Sequence, residues 1–154
     1  MKKKKVFIIV IIVVLIIILD QTSKFIVEKN FSDKDVGNDI IRIEVSTNTG
    51  LAFGFNDGNF KNILLTIFVL GIIINFIVKQ IEQIDIKTTF VLGFVLGGGI
   101  SNLIDRFIRG SVLDFIKIYK FPNFNVADSF IVIGWILIII FLVIYTRSGD
   151  KTGA

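Results

Sequence analysis

Three aspartates in one stretch of a very apolar chain are the residues whose chemistry stands out first. Asp105, Asp114 and Asp128 lie close together in sequence, each at or just beyond the end of an apolar segment. A carboxylate near membrane hydrocarbon is costly, so such a residue is by default a candidate for a functional site. Each aspartate taken alone could instead be a helix cap or a loop charge in water. Asparagines and glycines accompany all three, and this clustering favours one polar site.

Two neighbouring aspartates can hydrolyse a peptide bond without any other catalytic residue type. Two carboxylates in a cleft of low dielectric constant cannot easily both ionise, so they share a proton. The ionised partner takes a proton from water, and the protonated partner gives one to the leaving nitrogen. Asp105 has Arg106 beside it and Arg109 four residues on, so we expect it to stay ionised. Asp114 and Asp128, with apolar neighbours in sequence, are the candidate pair.

The composition narrows both the class of protein and the chemistry open to it. The 154 residues are 53% hydrophobic, and the apolar residues come in long blocks, which indicates an integral membrane protein. The chain has no cysteine and no histidine. This excludes disulfides, Cys-His and Ser-His-Asp schemes, and zinc bound by thiolate or imidazole. The net charge of +4 owes much to the run Lys2–Lys5, which indicates membrane orientation and gives little support to nucleic-acid binding.

Apolar blocks predict four membrane spans, at residues 5–27, 62–78, 88–104 and 129–145, within a single domain of residues 1–154. Each approaches or exceeds the ~20 residues that a bilayer requires. The first block follows Lys2–Lys5 as in a signal peptide, but no small-x-small cleavage site follows, so we expect a retained helix. Four spans put both termini on one side, and the lysine run predicts that this side is cytoplasmic.

Shorter patterns predict the local structure between and within these spans. Ile41–Val45 alternates with period two and predicts a strand, whereas Asn56–Asn59 predicts a turn and residues 106–126 an outer loop. Asp20 and Lys24 are four residues apart and share a helix face, which predicts an ion pair. The glycines of residues 93–99 predict either close contact with another helix or a tapering helix end. In this topology Asp20, Asn48 and the three later aspartates all fall on the outer side.

The polar motifs resemble those of the lipoprotein signal peptidases (signal peptidase II), which are bacterial membrane aspartic peptidases. The matching motifs are Asp20-Gln21-Thr22-Ser23-Lys24, Asn48-Thr49-Gly50-Leu51-Ala52-Phe53-Gly54, Asn102-Leu103-Ile104-Asp105-Arg106 with Gly110, Val112 and Asp114-Phe115, and Phe124-Asn125-Val126-Ala127-Asp128. Their order on a four-span chain of this length makes the resemblance specific. The sequence departs from the family pattern at Ser101, where glycine is usual, and in the short link between Asp114 and Asp128.

The resemblance implies a fold, a site and a substrate. The fold would be an all-α integral membrane protein of four transmembrane helices with a small extracytoplasmic β-sheet cradle. Asp114 and Asp128 would be catalytic, without metal or cofactor. The residues that line or brace the pocket would be Asp20, Lys24, Asn48, Gly50, Asn102, Asp105, Arg106 and Asn125. The substrate would be a prolipoprotein carrying a diacylglyceryl cysteine, cut just before that cysteine.

The same resemblance implies partners and a location. We expect contact with membrane lipids, inhibition by globomycin-type and myxovirescin-type antibiotics, and a monomer in the bacterial cytoplasmic membrane with its site near the outer face.

Two other functions remain open from the residues alone. A Mg²⁺-dependent lipid phosphotransferase would use aspartate oxygens as ligands, but the aspartates lack a tight spacing on one helix. A proton-coupled carrier would use membrane aspartates as relays, but four short spans without an obvious internal repeat argue against it.

Overall fold

Four long helices and a small sheet make up the described part of the chain, which in this computed structural model comprises residues 1–32, 34–50 and 59–149. The elements in order are α1 (Lys2–Phe31), β1 (Val36–Gly37), β2 (Ile41–Asn48), α2 (Asn59–Gln80), α3 (Ile86–Arg109), β3 (Val112–Ile118) and α4 (Val126–Gly149). All four helices are long and apolar enough to cross a membrane, and each predicted span lies inside one of them. The mostly helical membrane fold with a small sheet is therefore confirmed. Residues 51–58, which hold most of the predicted turn, lie outside the described residues.

Helix α3 lies at the centre of the bundle and packs against α1 and α4. In the most apolar 18-residue segment of α3, 61% of the residues are buried, against 22% or fewer in the corresponding segments of the other three helices. A Cβ added at Gly93 would lie 2.9 Å from Ile12 of α1, and one at Gly98 would lie 2.5 Å from the carbonyl of Ala127. The glycines thus let α1 and α4 approach the α3 backbone closely, which confirms the predicted helix contact.

The outward faces of the other helices are apolar and exposed, including Phe7 in α1, Phe68 in α2 and Ile139 in α4. Exposed apolar area on this scale is typical of a surface that faces lipid. Polar residues are instead collected in the interior at the end of the bundle that carries the sheet. Most of the buried charged side chains that the structure describes therefore meet at this end.

The sheet is antiparallel in the order β1-β2-β3. Ser46 of β2 lies opposite Asp114 of β3, and Asn48 lies opposite Val112. The predicted strand is confirmed, whereas the predicted outer loop at residues 106–126 is wrong. Helix α3 continues to Arg109, ends at Gly110 with φ +74°, and the chain enters β3 directly. The pairing of β3 with β2 is non-local, so the local pattern of residues could not indicate it.

The short link between Asp114 and Asp128 folds back on β3. The N–H groups of Phe115 and Ile116 donate to the carbonyl of Phe124 at 3.1 and 2.8 Å, and Phe124 N–H donates to the Ile116 carbonyl at 3.1 Å. The side chain of Asn123 also donates to the hydroxyl of Ser46 at 3.0 Å. The link is therefore a closed hairpin, and it returns the chain to the start of α4.

Candidate active site

Asp128 is fixed by a reciprocal cap at the start of α4. Its N–H donates to Asn125 Oδ1 at 2.8 Å, and its Oδ2 accepts from the Asn125 N–H at 3.3 Å. This exchange is a capping box, which satisfies two backbone donors that the helix leaves unpaired. Asp128 also lies in the first turn, where the helix dipole favours a negative charge. The local sequence therefore holds this carboxylate in one orientation.

Asp114 lies in β3 with 2% of its surface exposed. Asn48 Nδ2 donates to its Oδ2 at 3.1 Å, and Asn125 Nδ2 donates to its Oδ1 at 2.7 Å. Burial, followed by the negative charge of Asp128, raises the pKa of the Asp114 carboxyl from its ordinary value to about 6. The two amide donors oppose this rise but do not cancel it. Asp114 is therefore a carboxyl that can hold or release a proton near neutral pH.

Two asparagines connect the candidate catalytic carboxylates. Asn102 Nδ2 donates to Asp128 Oδ1 at 2.7 Å, while Asn102 Oδ1 accepts from Asn125 Nδ2 at 3.1 Å. Asn125 thus contacts Asp128 through its backbone and Asp114 through its side chain. The structure brings Asp114 and Asp128 to the same asparagine, Asn125, although they lie on different elements.

Lys24 lies behind this pair with none of its surface exposed. Its ammonium is 2.7 Å from Asp20 Oδ2, 2.8 Å from Asp105 Oδ2 and 3.1 Å from Asn102 Oδ1. An unpaired ammonium in this position would be strongly destabilising, and two carboxylates offset that cost. The predicted Asp20–Lys24 ion pair is confirmed, and it is buried rather than interfacial. Asp105 keeps Arg109 at 3.6 Å as a weaker partner.

The segment that carries Asn48 is held against α2 and α3. Asn48 Oδ1 accepts from the Gly50 N–H at 2.9 Å, and the Gly50 carbonyl accepts from Arg106 Nη2 at 3.2 Å. Asn62 Nδ2 donates to the Thr49 carbonyl at 2.7 Å. These contacts fix the backbone just after β2 and so hold Asn48, the last residue of that strand, within reach of Asp114. The rest of this motif, residues 51–54, lies outside the described residues.

All the candidate residues named from the sequence belong to one connected set of polar contacts at this end of the bundle. The set comprises Asp20, Lys24, Asn48, Gly50, Asn102, Asp105, Arg106, Asp114, Asn125 and Asp128. A carboxyl pair that is bridged by amides, with one member buried and the other partly buried, can divide acid and base roles between its members. The individual roles of these residues remain a prediction.

A family model described as signal peptidase (SPase) II matches residues 12–144 of the chain. The chain belongs to the signal peptidase II family. Lipoprotein signal peptidases from two strains of Dehalococcoides mccartyi are each 37% identical to it over 144 residues, covering 86% of this chain and 88% of theirs.

Solved structures agree with this family membership. One described as a bacterial membrane enzyme by the in meso method at 2.3 Å resolution superposes with a TM-score of 0.81 at 32% identity, covering 91% of this chain and 90% of that one. A second, at 1.9 Å resolution, has a TM-score of 0.76 at 32% identity, covering 87% and 91%. The four-helix fold with its small sheet is therefore shared with structures of membrane enzymes.

Sequence reasoning missed several members of the polar network in this signal peptidase II chain. Ser101 donates to Asp20 Oδ2 at 2.7 Å, and Gln21 Nε2 donates to Ser101 Oγ at 3.1 Å and to Asp105 Oδ1 at 2.9 Å. Ser101 stands out in the sequence only as a departure from the usual glycine, although a hydroxyl in an apolar helix is itself a signal. Asn62, a polar residue near the start of an apolar span, gave the same kind of signal.

Proposed function

We propose that the protein is a membrane aspartic endopeptidase that removes signal peptides from diacylglyceryl-modified prolipoproteins and cuts just before the lipidated cysteine. The observation that carries the proposal is the contact of Asp114 and Asp128 with the same Asn125 in a buried polar network. The substrate class comes from the similarity to lipoprotein signal peptidases.

Asp128 is the residue that we assign as the base. The helix start stabilises its ionised form, and Asn102 holds one of its oxygens. It takes a proton from water as the water oxygen forms a bond to the scissile carbonyl carbon. Asp114, which lacks the help of a helix dipole, begins in the protonated form and gives its proton to the leaving amide nitrogen. The titrations belong to the coupled pair, and the rate follows a bell-shaped dependence on pH.

A site at the end of a membrane bundle suits a lipid-anchored substrate, because such a substrate diffuses in the plane of the bilayer. The acyl chains would lie against the exposed apolar helix faces while the scissile bond reaches the aspartates. The protein would act as a monomer in the bacterial cytoplasmic membrane, in contact with membrane lipids. Globomycin-type and myxovirescin-type compounds would compete for the same site.

The phosphotransferase alternative gains no support from the described residues. Within residues 1–32, 34–50 and 59–149, no group of three or more carboxylates could hold a metal ion. Cleavage that survives a chelator would separate the two functions directly. Uptake of a solute by proteoliposomes that contain the purified protein would instead favour the carrier.

The decisive experiment is mass spectrometry of a diacylglyceryl-modified model prolipoprotein incubated with the purified protein. The expected product begins at the lipidated cysteine. Asp114→Asn and Asp128→Asn should each fold yet lower turnover by at least ~100-fold, because amides cannot exchange protons as carboxyls do. Asp39→Asn is the control, since Asp39 is exposed and outside the network. Substantial turnover in either variant of the pair would refute the aspartyl mechanism.

The orientation can be tested with single cysteines, because the chain has none of its own. Asp39→Cys precedes β2, and Glu82→Cys lies between α2 and α3 at the opposite end of the bundle. With both termini cytoplasmic, an impermeant reagent should label the first in intact cells and not the second. The reverse pattern would mean that the site faces the cytoplasm.

A further inference from the structure

Two buried carboxylates behind the proposed catalytic pair each hold the backbone next to a catalytic residue. Asp20 Oδ1 accepts from the Ala127 N–H at 2.9 Å, and Ala127 immediately precedes Asp128. Asp105 Oδ2 accepts from the Leu113 N–H at 3.2 Å, and Leu113 immediately precedes Asp114. In both hydrogen bonds the acceptor is a side chain, so neither is one of the backbone hydrogen bonds that form α4 or the sheet. Each catalytic aspartate is thus anchored one peptide unit away from its own Cα.

Both anchors are joined through a single ammonium. Lys24 Nζ contacts Asp20 Oδ2 and Asp105 Oδ2, and all three side chains have no exposed surface. The peptide unit is planar and stiff, so holding an N–H group restricts where the following residue can lie. The chain of contacts from Ala127 through Asp20, Lys24 and Asp105 to Leu113 therefore joins the two backbone segments that carry the catalytic carboxylates.

The remaining oxygens of the two anchors are also bound, which limits their rotation. Ser101 donates to Asp20 Oδ2, and Gln21 donates to Asp105 Oδ1. Arg109 Nη1 is 3.6 Å from the same Asp105 oxygen. Turning either carboxylate would leave a buried donor unmet, which is costly at low dielectric constant. Each anchor is therefore restricted to one orientation.

From this arrangement we infer that Asp20, Lys24 and Asp105 form a positioning unit that sets the separation of Asp114 and Asp128 from behind, without touching the substrate. The inference rests on the proposed function, since it assigns these residues to the proposed catalytic pair. Proton sharing depends steeply on the distance between two carboxylates. Displacement of a reacting group by 1 Å can cost on the order of 100-fold in rate.

The isosteric variants Asp20→Asn and Asp105→Asn test the inference. At position 20 an asparagine must either turn its NH₂ toward the Ala127 N–H and lose the anchor, or turn it toward Lys24 and repel the ammonium. At position 105 one oxygen serves both the Leu113 N–H and Lys24, so the NH₂ must either replace that oxygen and lose both contacts or face the donors of Gln21 and Arg109 on the other side. We expect kcat to fall about 10- to 100-fold per folded molecule, with KM within about twofold of the wild-type value. We also expect a narrower bell in the pH–rate profile, because carboxylates that move apart repel each other less.

A narrower pH–rate profile distinguishes displacement of the two catalytic carboxylates from a simple change in the charge near them. The charged groups that face the pair are Asp20 and Lys24 from α1 and Arg106 from α3, while the neighbouring strand β2 contributes the uncharged Asn48. Removing one of these charges without displacement would move both limbs of the bell in the same direction and keep its width. A narrower bell requires that the coupling between the two carboxylates has weakened.

Asp85→Asn is the matched control, because Asp85 also accepts a backbone N–H, from Thr88 at 2.7 Å, but does so at the inner start of α3. The asparagine oxygen can still accept from Thr88, so this variant should keep the cap and leave the pH–rate profile unchanged. Ser101→Ala is the milder test, since it removes only the hydroxyl that donates to Asp20. It should fold and narrow the bell to a smaller extent, which keeps the inference testable if both Asn variants fail to fold.

The result that would overturn the inference is wild-type turnover and bell width in folded Asp20→Asn and Asp105→Asn. If neither folds, the same result in Ser101→Ala would overturn it. Failure of the proposed function would give a different result. The wild-type protein would then leave the model prolipoprotein intact, or Asp114→Asn would cleave it at the normal rate.

Discussion

Helix α1 buries one lysine at each end, and the two have different partners. Lys5 is 6% exposed and donates to the carbonyls of Ile81, Glu82 and Ile84 at 3.0, 3.1 and 2.6 Å. Lys24 is bound by two carboxylates and one amide at the other end. The partners of Lys5 are neutral and lie where α2 ends and the chain turns toward α3. The partners of Lys24 are charged and lead to the proposed catalytic pair.

This difference in partners predicts different consequences when either lysine is lost. Carbonyls at the end of a helix can accept hydrogen bonds from water if the ammonium is removed. Two carboxylates left together in the interior have no such substitute and repel each other. Lys5 therefore stabilises a helix end, as cations near a C-terminus do, whereas Lys24 neutralises a buried cluster that the site needs.

The largest expected effect is that of Lys24→Met. Removing the ammonium leaves Asp20 and Asp105 buried without their shared partner, and the free energy of unfolding should fall by about 3–5 kcal/mol. Thermal unfolding in detergent measures this loss, with Lys29→Met, an exposed lysine of the same helix, as control. The double variant Lys24→Met/Asp20→Asn should regain part of the stability. No recovery would show that charge is not the cause.

The next effect concerns the pH dependence of stability, and we expect it only at the end of the bundle that holds Lys24 and the sheet. Because the pKa of Asp114 is raised from 3.8 to about 6, its favourable contribution to folding is complete below pH 3.8 and is lost as the pH rises through 6. Relative to Asp114→Asn, the wild-type protein should lose about 3 kcal/mol of unfolding free energy across this window. Chaotrope unfolding at several pH values gives the difference. Lys5→Met should retain the pH dependence of the wild type, and a changed slope there would contradict the distinction between the two ends.

Lys5→Met should lower the unfolding free energy by about 2 kcal/mol, because three carbonyls lose a charged donor but regain water. Turnover per folded molecule should be unchanged. Lys4→Met is the matched control, since Lys4 is the exposed neighbour in the same run. An equal loss in both variants would mean that the run acts only through its charge.

The smallest effect is expected for Asp85→Ala at the start of α3. Loss of the N-cap should cost about 1 kcal/mol, visible as a lower melting temperature without loss of activity. Glu82→Ala, at an exposed position two residues after α2, should be nearly silent in the same assay.

The sequence predicted those features that depend on local patterns. Apolar blocks located the four helices, and the spacing of Asp20 and Lys24 predicted their ion pair because neighbours one turn apart must share a face. It did not predict β3, because the hydrogen bonds of Asp114 with β2 join residues far apart in the chain. Nor did it predict burial of Lys5, because Lys5 is one of four consecutive lysines and the sequence does not distinguish it from its exposed neighbours. Lys5 differs from those neighbours because it contacts the carbonyls that follow α2, and only folding brings these carbonyls near it.

The hairpin between Asp114 and Asp128 has a consequence for the order in which the site can form. The contact between Asn125 and Asp114 spans 11 residues, whereas the contact between Ala127 and Asp20 spans 107. The entropic cost of closing a loop rises with its length, so contacts close in sequence form more readily than distant ones. We therefore expect the amide-bridged carboxyl pair to assemble with β3 and the start of α4, before α1 docks. Since Asp128 follows the hairpin, a nascent protein in which α4 has not begun lacks one carboxylate of the pair.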